Sequence, residues 1–397
     1  MKKHLILFLC ILLFFPSFLS AGDFGLILDQ TPGFTGVGSD VNFDYTGMLI
    51  PRFSTLIGER GSLYASAGLR LEYENETTTF VPELLRTEFS WRFNSGNLMI
   101  GRMPYTDQLG FIADGLFDGA RLSLDAKAGT FSVGAWYTGL LYKKRTNITM
   151  TMDEMNSYNS DVDYGDFADT YFAPARILAA LEWEHPAVGD LFRIKAGVLG
   201  QFDVSGSGLH SQYLTAKISA PAGNFIFSLG GCLEFIQNTD ADETGFGLAG
   251  ELGLSWMLPT AINDRLSFLG RFSSGVFDDS SMKAFLPVST SYQGDVLKAK
   301  LSGLSMLSLE YFARLHRNFS LGLKSSYFIL SDLGSYPNYN ADGYFLGNEF
   351  FGRFIWSPAS DVLFNLGAGV FLPSMGNTAP NEDPRWRIEL NLVLMLY

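Results

Sequence analysis

The chain has 397 residues, is 47% hydrophobic and 15% aromatic, contains 42 glycines, and sets 28 Lys+Arg against 41 Asp+Glu. The acidic balance, with no basic stripe, argues against a nucleic-acid partner. Beyond Phe15 no apolar run could cross a bilayer as a helix, which takes roughly 20 residues, and Cys232, the one cysteine past the leader, cannot make an internal disulfide.

In chain order, residues 1–21 read as a secretory signal. Lys2 and Lys3 give the charged start, Leu5 to Phe15 the apolar stretch, and Pro16, Ser17, Ser20 and Ala21 the break and the small residues for cleavage. Residues 22–397 then form one domain. Its segments alternate with period two, as strands do when one face meets an apolar medium. Leu63, Ala65, Ala67, Leu69 and Leu71 oppose Tyr64, Ser66, Gly68, Arg70 and Glu72. Phe246, Leu248, Leu252, Leu254 and Trp256 oppose Gly247, Glu251 and Ser255. Ala299 to Leu315, Val362 to Leu372 and Arg385 to Tyr397 repeat the pattern, although the chain ends on Tyr397 where barrel signals commonly have Phe. Glycines such as Gly134, Gly197, Gly230 and Gly322 oppose a helical reading at about 1 kcal/mol each.

Connections take turns in length. Short ones fall near 58–60, 94–96, 128–129, 186–189, 221–223, 259–264, 316–318 and 358–360. Long ones fall near 31–40, 74–82, 104–115, 145–174, 203–210, 238–244, 278–296, 332–343 and 373–384. Trp91, Trp183, Trp256 and Trp356 each precede a short turn on the apolar parity, as an aromatic girdle requires where lipid meets water. The prediction is an all-β, transmembrane, antiparallel up-and-down β-barrel of about 18 strands (14–16 as the alternative), with short periplasmic turns and long extracellular loops. A closed barrel leaves no unpaired edge in lipid. The first strand is set at Asp23 to Asp29, Leu98–Met103 reads as a brief strand, and Phe285 to Val288 as either loop or strand remnant.

The other parity then faces the lumen. Its charged candidates include Arg70, Arg86, Glu88, Arg193, Lys195, Glu251, Arg271, Glu310, Arg314, Glu349 and Arg353, each costly against lipid. Gly101-Arg102, an irregular stretch, and then Phe117-Asp118-Gly119-Ala120-Arg121-Leu122 form a "G-R…F-D-G-A-R-L" pattern. This pattern and the architecture resemble outer-membrane porin-like families, including the alginate-export and phosphate-selective porin types. The resemblance covers about 20 residues and implies a loop folded toward the channel. It makes Arg102, Asp107, Asp114, Asp118 and Arg121 lumen or constriction candidates, unless Asp118 and Arg121 simply pin a strand start. It transfers no substrate, because no dense arginine ladder accompanies it.

The functional expectation is an outer-membrane channel for small solutes. One alternative is a hydrophobic-compound transporter similar to the long-chain fatty-acid family, using Trp136, Phe312 and Phe351, although no plug segment precedes the first strand. The other is a surface adhesin or structural barrel acting through loops 145–174 and 278–296, with Tyr158, Tyr164 and Tyr171 among acidic residues. An enzyme is not expected: His185, His210 and His316 lack lipase or metal spacing, and His210 with Asp203 and Ser211 is the nearest arrangement. No metal or cofactor is expected. Expected partners are membrane lipids, small solutes, the barrel-assembly machinery and, in keeping with porins, a homotrimer.

Overall fold

A computed structural model describes residues 22–74, 76–276, 281–333 and 343–397. The expected signal segment 1–21, and parts of the expected loops 278–296 and 332–343, lie outside the described residues. The chain runs through β1 (Gly22–Val37), β2 (Asp40–Ile57), β3 (Gly61–Glu74), β4 (Thr77–Phe93), β5 (Gly96–Thr106), β6 (Asp114–Ala126) and β7 (Gly129–Tyr137). A long connection carries α1 (Lys143–Thr146), α2 (Met152–Asn159) and α3 (Phe167–Tyr171). Then follow β8 (Arg176–Val188), β9 (Phe192–Asp203), β10 (Leu209–Ala222), β11 (Phe225–Asn238), β12 (Glu243–Met257) and β13 (Arg265–Ser273). A small ribbon, β14 (Tyr292–Gln293) and β15 (Ala299–Lys300), sits inside the next connection. The chain ends with β16 (Leu304–His316), β17 (Phe319–Leu330), β18 (Phe345–Ala359), β19 (Val362–Leu372) and β20 (Arg385–Leu396).

Each barrel strand pairs antiparallel with the next, β13 passes to β16, and β20 returns to β1, closing one 18-stranded sheet. Alternation sets which way each residue faces. Leu252 is 52% exposed on the outside while Glu251 beside it is 7% exposed on the inside. Leu69, Leu84, Val133, Leu181, Leu214, Leu229, Leu309 and Leu323 join Leu252 on the outer face. An apolar surface that continuous needs a lipid solvent. Glu251 instead accepts from Lys217 at 2.7 Å, reaching over Gly230 of β11 from β10, and from Arg271 at 2.9 Å on the adjacent β13. A one-residue slip would exchange the two environments everywhere, so register is tightly specified. Trp91, Trp183, Trp256 and Trp356 lie at the short-turn end, where Trp183 Nε1 donates to Ala128 O at 2.7 Å and Trp356 stacks between Phe319 and Phe364.

Connections read as long loops at 31–40, 74–82 and 238–244 are shorter than expected, the last running only from Asn238 to Glu243. β1 and β2 run on through the expected loop 31–40 to a two-residue turn at Gly38, whose φ of +58° suits glycine. β3 and β4 likewise consume most of 74–82. Asp40, Asn42, Asp44, Glu74 and Thr77 to Thr79 interrupt the apolar alternation without interrupting pairing, because these ends rise beyond the apolar belt. β5 is also longer than Leu98–Met103, and the Phe285–Val288 segment is loop.

The wall steps down between β4 and β7. β4 pairs with β5 only from Thr87 to Phe93, and β6 pairs with β7 only from Asp118 onward. Beyond those points β5 and β6 pair with each other alone, up to Thr106 opposite Asp114. This upper hairpin turns into the lumen. Met103, Tyr105 and Phe117 are buried against the inner wall, with Tyr105 and Trp136 ring centroids 4.2 Å apart. Gly101 permits the departure: its φ is +118°, and a Cβ there would sit 2.1 Å from Thr87 O. The turn leaves the upper edge of β4 without a strand partner. Side chains take over, since the carbonyls of Phe80, Pro82 and Leu84 accept from Tyr164 Oη, Tyr171 Oη and Arg102 Nη1. Pro82 has no N–H to leave unmet on that edge.

Candidate channel constriction

Three segments fold inward and bond to one another: the hairpin tip 107–113, the connection 138–175, and residues 281–303 of the next long connection. Asp107 shapes the tip. Its carboxylate accepts from Leu109 N (2.8 Å), Gly110 N (3.1 Å), Ile112 N (2.8 Å) and Ala113 N (3.0 Å). Burial pushes this carboxyl above its ordinary range, and the four donors act against that rise. The tip reaches along the inner wall, where Gln108 Nε2 donates to Ala196 O of β9 at 2.9 Å and the Arg271 guanidinium of β13 lies 4.8 Å from the Phe111 ring centre. Leu109, Phe111 and Ile112 join Ile148, Phe285, Val288, Leu301 and the wall residue Tyr213 in one buried apolar cluster.

Polar contacts lock the three segments together. Ser289 N donates to Ile112 O at 3.1 Å, Thr290 N to Asn147 O at 2.7 Å, and Asn147 Nδ2 to Thr290 O at 2.8 Å. Wall carboxylates hold them from outside. Glu72 and Glu83 pair with Lys144 (3.2 Å) and Arg145 (2.9 Å). Glu234 Oε2 accepts from Leu286 N at 2.8 Å. Glu349 accepts from Asp295 N, Val296 N and Leu297 N at 2.7–2.9 Å. Fully buried Arg176 donates through Nε to Glu154 of α2 at 3.0 Å, and through Nη1 to Gln201 Oε1 at 2.5 Å.

The constriction candidates read from sequence separate into different positions. Arg102 and Asp118 do not project into the lumen. Opposite each other in register, they share the outward parity with Ile100 and Ala120, at the point where the hairpin leaves the wall. Asp118 takes Arg102 Nε and Nη2, both at 2.8 Å, and the same guanidinium reaches Leu84 O and Leu140 O. The pair therefore braces the step. Asp107 is the tip staple. Asp114 lies exposed on the hairpin with Thr106 Oγ1 at 2.6 Å. Arg121 is on the lumenal parity, bonded to Glu182 at 2.7 Å, while Tyr105 Oη donates to the other Glu182 oxygen at 3.1 Å.

Most of the other charged candidates form cross-strand pairs or contacts on the inner face. Arg70 meets Glu72 and Glu83, and Arg86 pairs with Glu88 and lies 4.7 Å from the Tyr64 ring centre. Arg193 and Lys195 meet Glu184, Glu251 holds Arg271, and Arg353 meets Asp295 at 3.3 Å. Glu349 anchors a loop, and Glu310 lines a crevice. Arg314 sits exposed near a short turn and donates to Arg317 O at 2.9 Å. Lys217 and Glu234 complete the set, and the parity each shares with Thr215 or Cys232, opposite the outward Leu214 and Leu233, could have revealed both. Asp295 could not have been found that way, because it lies on a loop. His210 and Ser211 are strand neighbours on opposite faces; His210 Nδ1 accepts Asp203 N, and the Asp203 carboxylate is taken up by N–H groups from Ser205 to Gly208.

Water-accessible space remains beside these segments. Under the hairpin a crevice of about 430 Å³ is lined by Thr106, Gln108, Arg121, Ser123, Glu182 and Lys195. Beside residues 281–303 lies one of about 290 Å³ with Arg265, Glu310, Phe312, Lys324, Phe351 and Arg353. A third, about 170 Å³, holds Lys298, Arg387 and Glu389. Burial, aided by nearby Arg387, pushes the Lys298 amine below its ordinary range. The lumen is thus polar, of mixed sign, and narrowed by a fixed apolar cluster.

No protein-family profile matches this sequence, and no curated protein does. Solved structures do. Pseudomonas aeruginosa OccK2 (OpdF) matches with a TM-score of 0.61 at 10% identity, over 96% of this chain and 98% of its own. A BenF-like porin from Pseudomonas fluorescens Pf-5 also gives 0.61 at 10%, over 96% and 100%. Acinetobacter baumannii OccAB1 gives 0.60 at 11%, over 95% and 97%. At these identities the shared property is the fold, a closed 18-stranded porin-type barrel.

Proposed function

We propose that this chain is an outer-membrane channel passing small hydrophilic solutes. One observation carries the reading: a wall apolar outside and charged inside encloses a lumen narrowed by three inward segments bonded to each other. Such a pore filters solutes by size and weakly by charge. The similar Pseudomonas aeruginosa structures include OccK2 (OpdF) in complex with glucuronate and OpdK with vanillate. Carboxylate-bearing solutes fit a lumen with Lys195, Lys217, Arg265, Arg271 and Arg353 on its wall. The narrower likeness to alginate-export and phosphate-selective porins adds no substrate, since Arg102 and Asp118 of that motif brace the wall.

The two rival readings find less support. Trp136, suggested for a hydrophobic path, is buried beneath Tyr105. Tyr164 and Tyr171, suggested for protein contact, are occupied at the β4 edge. The test is planar-bilayer conductance of the purified chain, with the reversal potential read in a salt gradient. Stepwise insertion of a constant conductance is expected; a persistent seal with correctly folded protein would sink the channel reading.

A further inference from the structure

Asp295 occupies an unusual place for a carboxylate. Three successive N–H groups, from Asp295 to Leu297, converge on the Glu349 carboxylate, which is 1% exposed. This clamp fixes the loop tip and aims the Asp295 side chain at the barrel wall. There one oxygen meets Lys324 Nζ at 2.9 Å and the other meets Arg353 Nη2 at 3.3 Å. The cations belong to adjacent strands, β17 and β18. The crevice that opens beside them brings Arg265, Glu310 and the rings of Phe312 and Phe351. Three cations thus face two carboxylates, one of which hangs from a loop.

We propose that Lys324 and Arg353 form a carboxylate-binding station on the channel wall, and that Asp295 is its tethered competitor. The inference rests on the channel reading. A carboxylate between an ammonium and a guanidinium makes charge-assisted hydrogen bonds to both. The side chains of Asp295 (23% exposed), Lys324 (28%) and Arg353 (47%) all reach water, so the internal pair is screened and exchangeable. A free carboxylate of similar size can take the same two donors, and Phe312 and Phe351 offer an apolar floor for its body. The tether keeps Asp295 at high effective concentration, so in an unoccupied station both cations already have a carboxylate partner. Entry of a solute anion is then an exchange of one carboxylate for another.

Butyrate serves as the probe, with butanol as its uncharged control, and saturation-transfer NMR on the detergent-solubilised full chain reads binding. Asp295→Asn should lower the half-saturation concentration for butyrate at least tenfold. Adding Lys324→Gln and Arg353→Gln to that variant should abolish the gain. Glu349→Gln, which keeps the Asp295 charge but loosens the clamp, should move binding in the same direction by less. In bilayers Asp295→Asn should shift the reversal potential toward anion preference. Equal butyrate binding by wild type and folded Asp295→Asn overturns the proposal, as does tight binding that survives loss of both cations. Should Asp295→Asn fail to fold, unchanged binding in Glu349→Gln overturns it. Tightened binding without conductance in either protein would keep the station and remove the channel.

Discussion

From β8 round to β3 each barrel strand pairs with both neighbours over most of its length, whereas between β4 and β7 the ladder stops part-way and side chains replace it. The two sectors meet the same requirement, that no backbone group be left bare, by different means. In the first, the main chain meets it regardless of sequence, and side chains only choose the face. In the second, particular residues carry it: Arg102, Tyr164 and Tyr171 on three β4 carbonyls, and Gly101 where the hairpin departs. The stepped sector is therefore the one in which single substitutions should matter most. It is also the sector that narrows the pore, because the same departure delivers Leu109 and Phe111 along the inner wall.

Arg102→Ala should show the contrast most strongly. It strands the Asp118 carboxylate and frees two carbonyls, Leu84 O on β4 and Leu140 O in the 138–175 connection. Removing one partner of a largely buried pair costs about 3–5 kcal/mol. Urea unfolding in detergent should show that loss, and bilayer records should become noisier as the hairpin and the connection loosen. Full stability with a quiet, unchanged pore would mean that the step does not depend on this brace.

Leu252→Arg probes the fully paired sector. The ladder around β12 should persist, but a guanidinium now faces lipid, at a cost of about 2 kcal/mol. Conductance should be unchanged while the unfolding midpoint falls. A variant as stable as the wild type would show that Leu252 does not face hydrocarbon.

How far each sector could be read in advance follows from the same difference. Around Glu251 and Leu252 alternation gave the face and the barrel directly, and the tryptophans marked one rim; the pairing register came only with the structure. At 31–40 and 74–82 the apolar signal faded before the pairing did, because strands that rise past lipid no longer need an apolar face. The stretch from Met103 to Leu116 was legible as irregular, and only the resemblance to porin-like families implied that it folds toward the channel. Two of the five candidates in and around it, Arg102 and Asp118, sit on the outward parity. A hairpin that turns in exchanges the surroundings of its two faces, so Tyr105 meets the wall and Asp114 the water, and parity counted along the strand cannot show where the exchange occurs. Contacts such as Glu349 with residues 295–297 join segments far apart in the chain and leave no periodic trace.

The smallest expected effect separates a bonded edge from a merely covered one. Tyr171 is 6% exposed and Tyr164 is 59% exposed, yet both hydroxyls end on β4 carbonyls, of Pro82 and Phe80. If the edge is held by hydrogen bonds, Tyr171→Phe removes a donor where water cannot readily replace it and should cost about 1 kcal/mol. Tyr164→Phe, at a wet site, should cost almost nothing. If apolar covering by Phe167, Tyr142 and Val162 is what holds the connection down, neither substitution should register, because each keeps its ring. Unfolding curves for the two variants decide between these cases, and equal losses in both would contradict each of them.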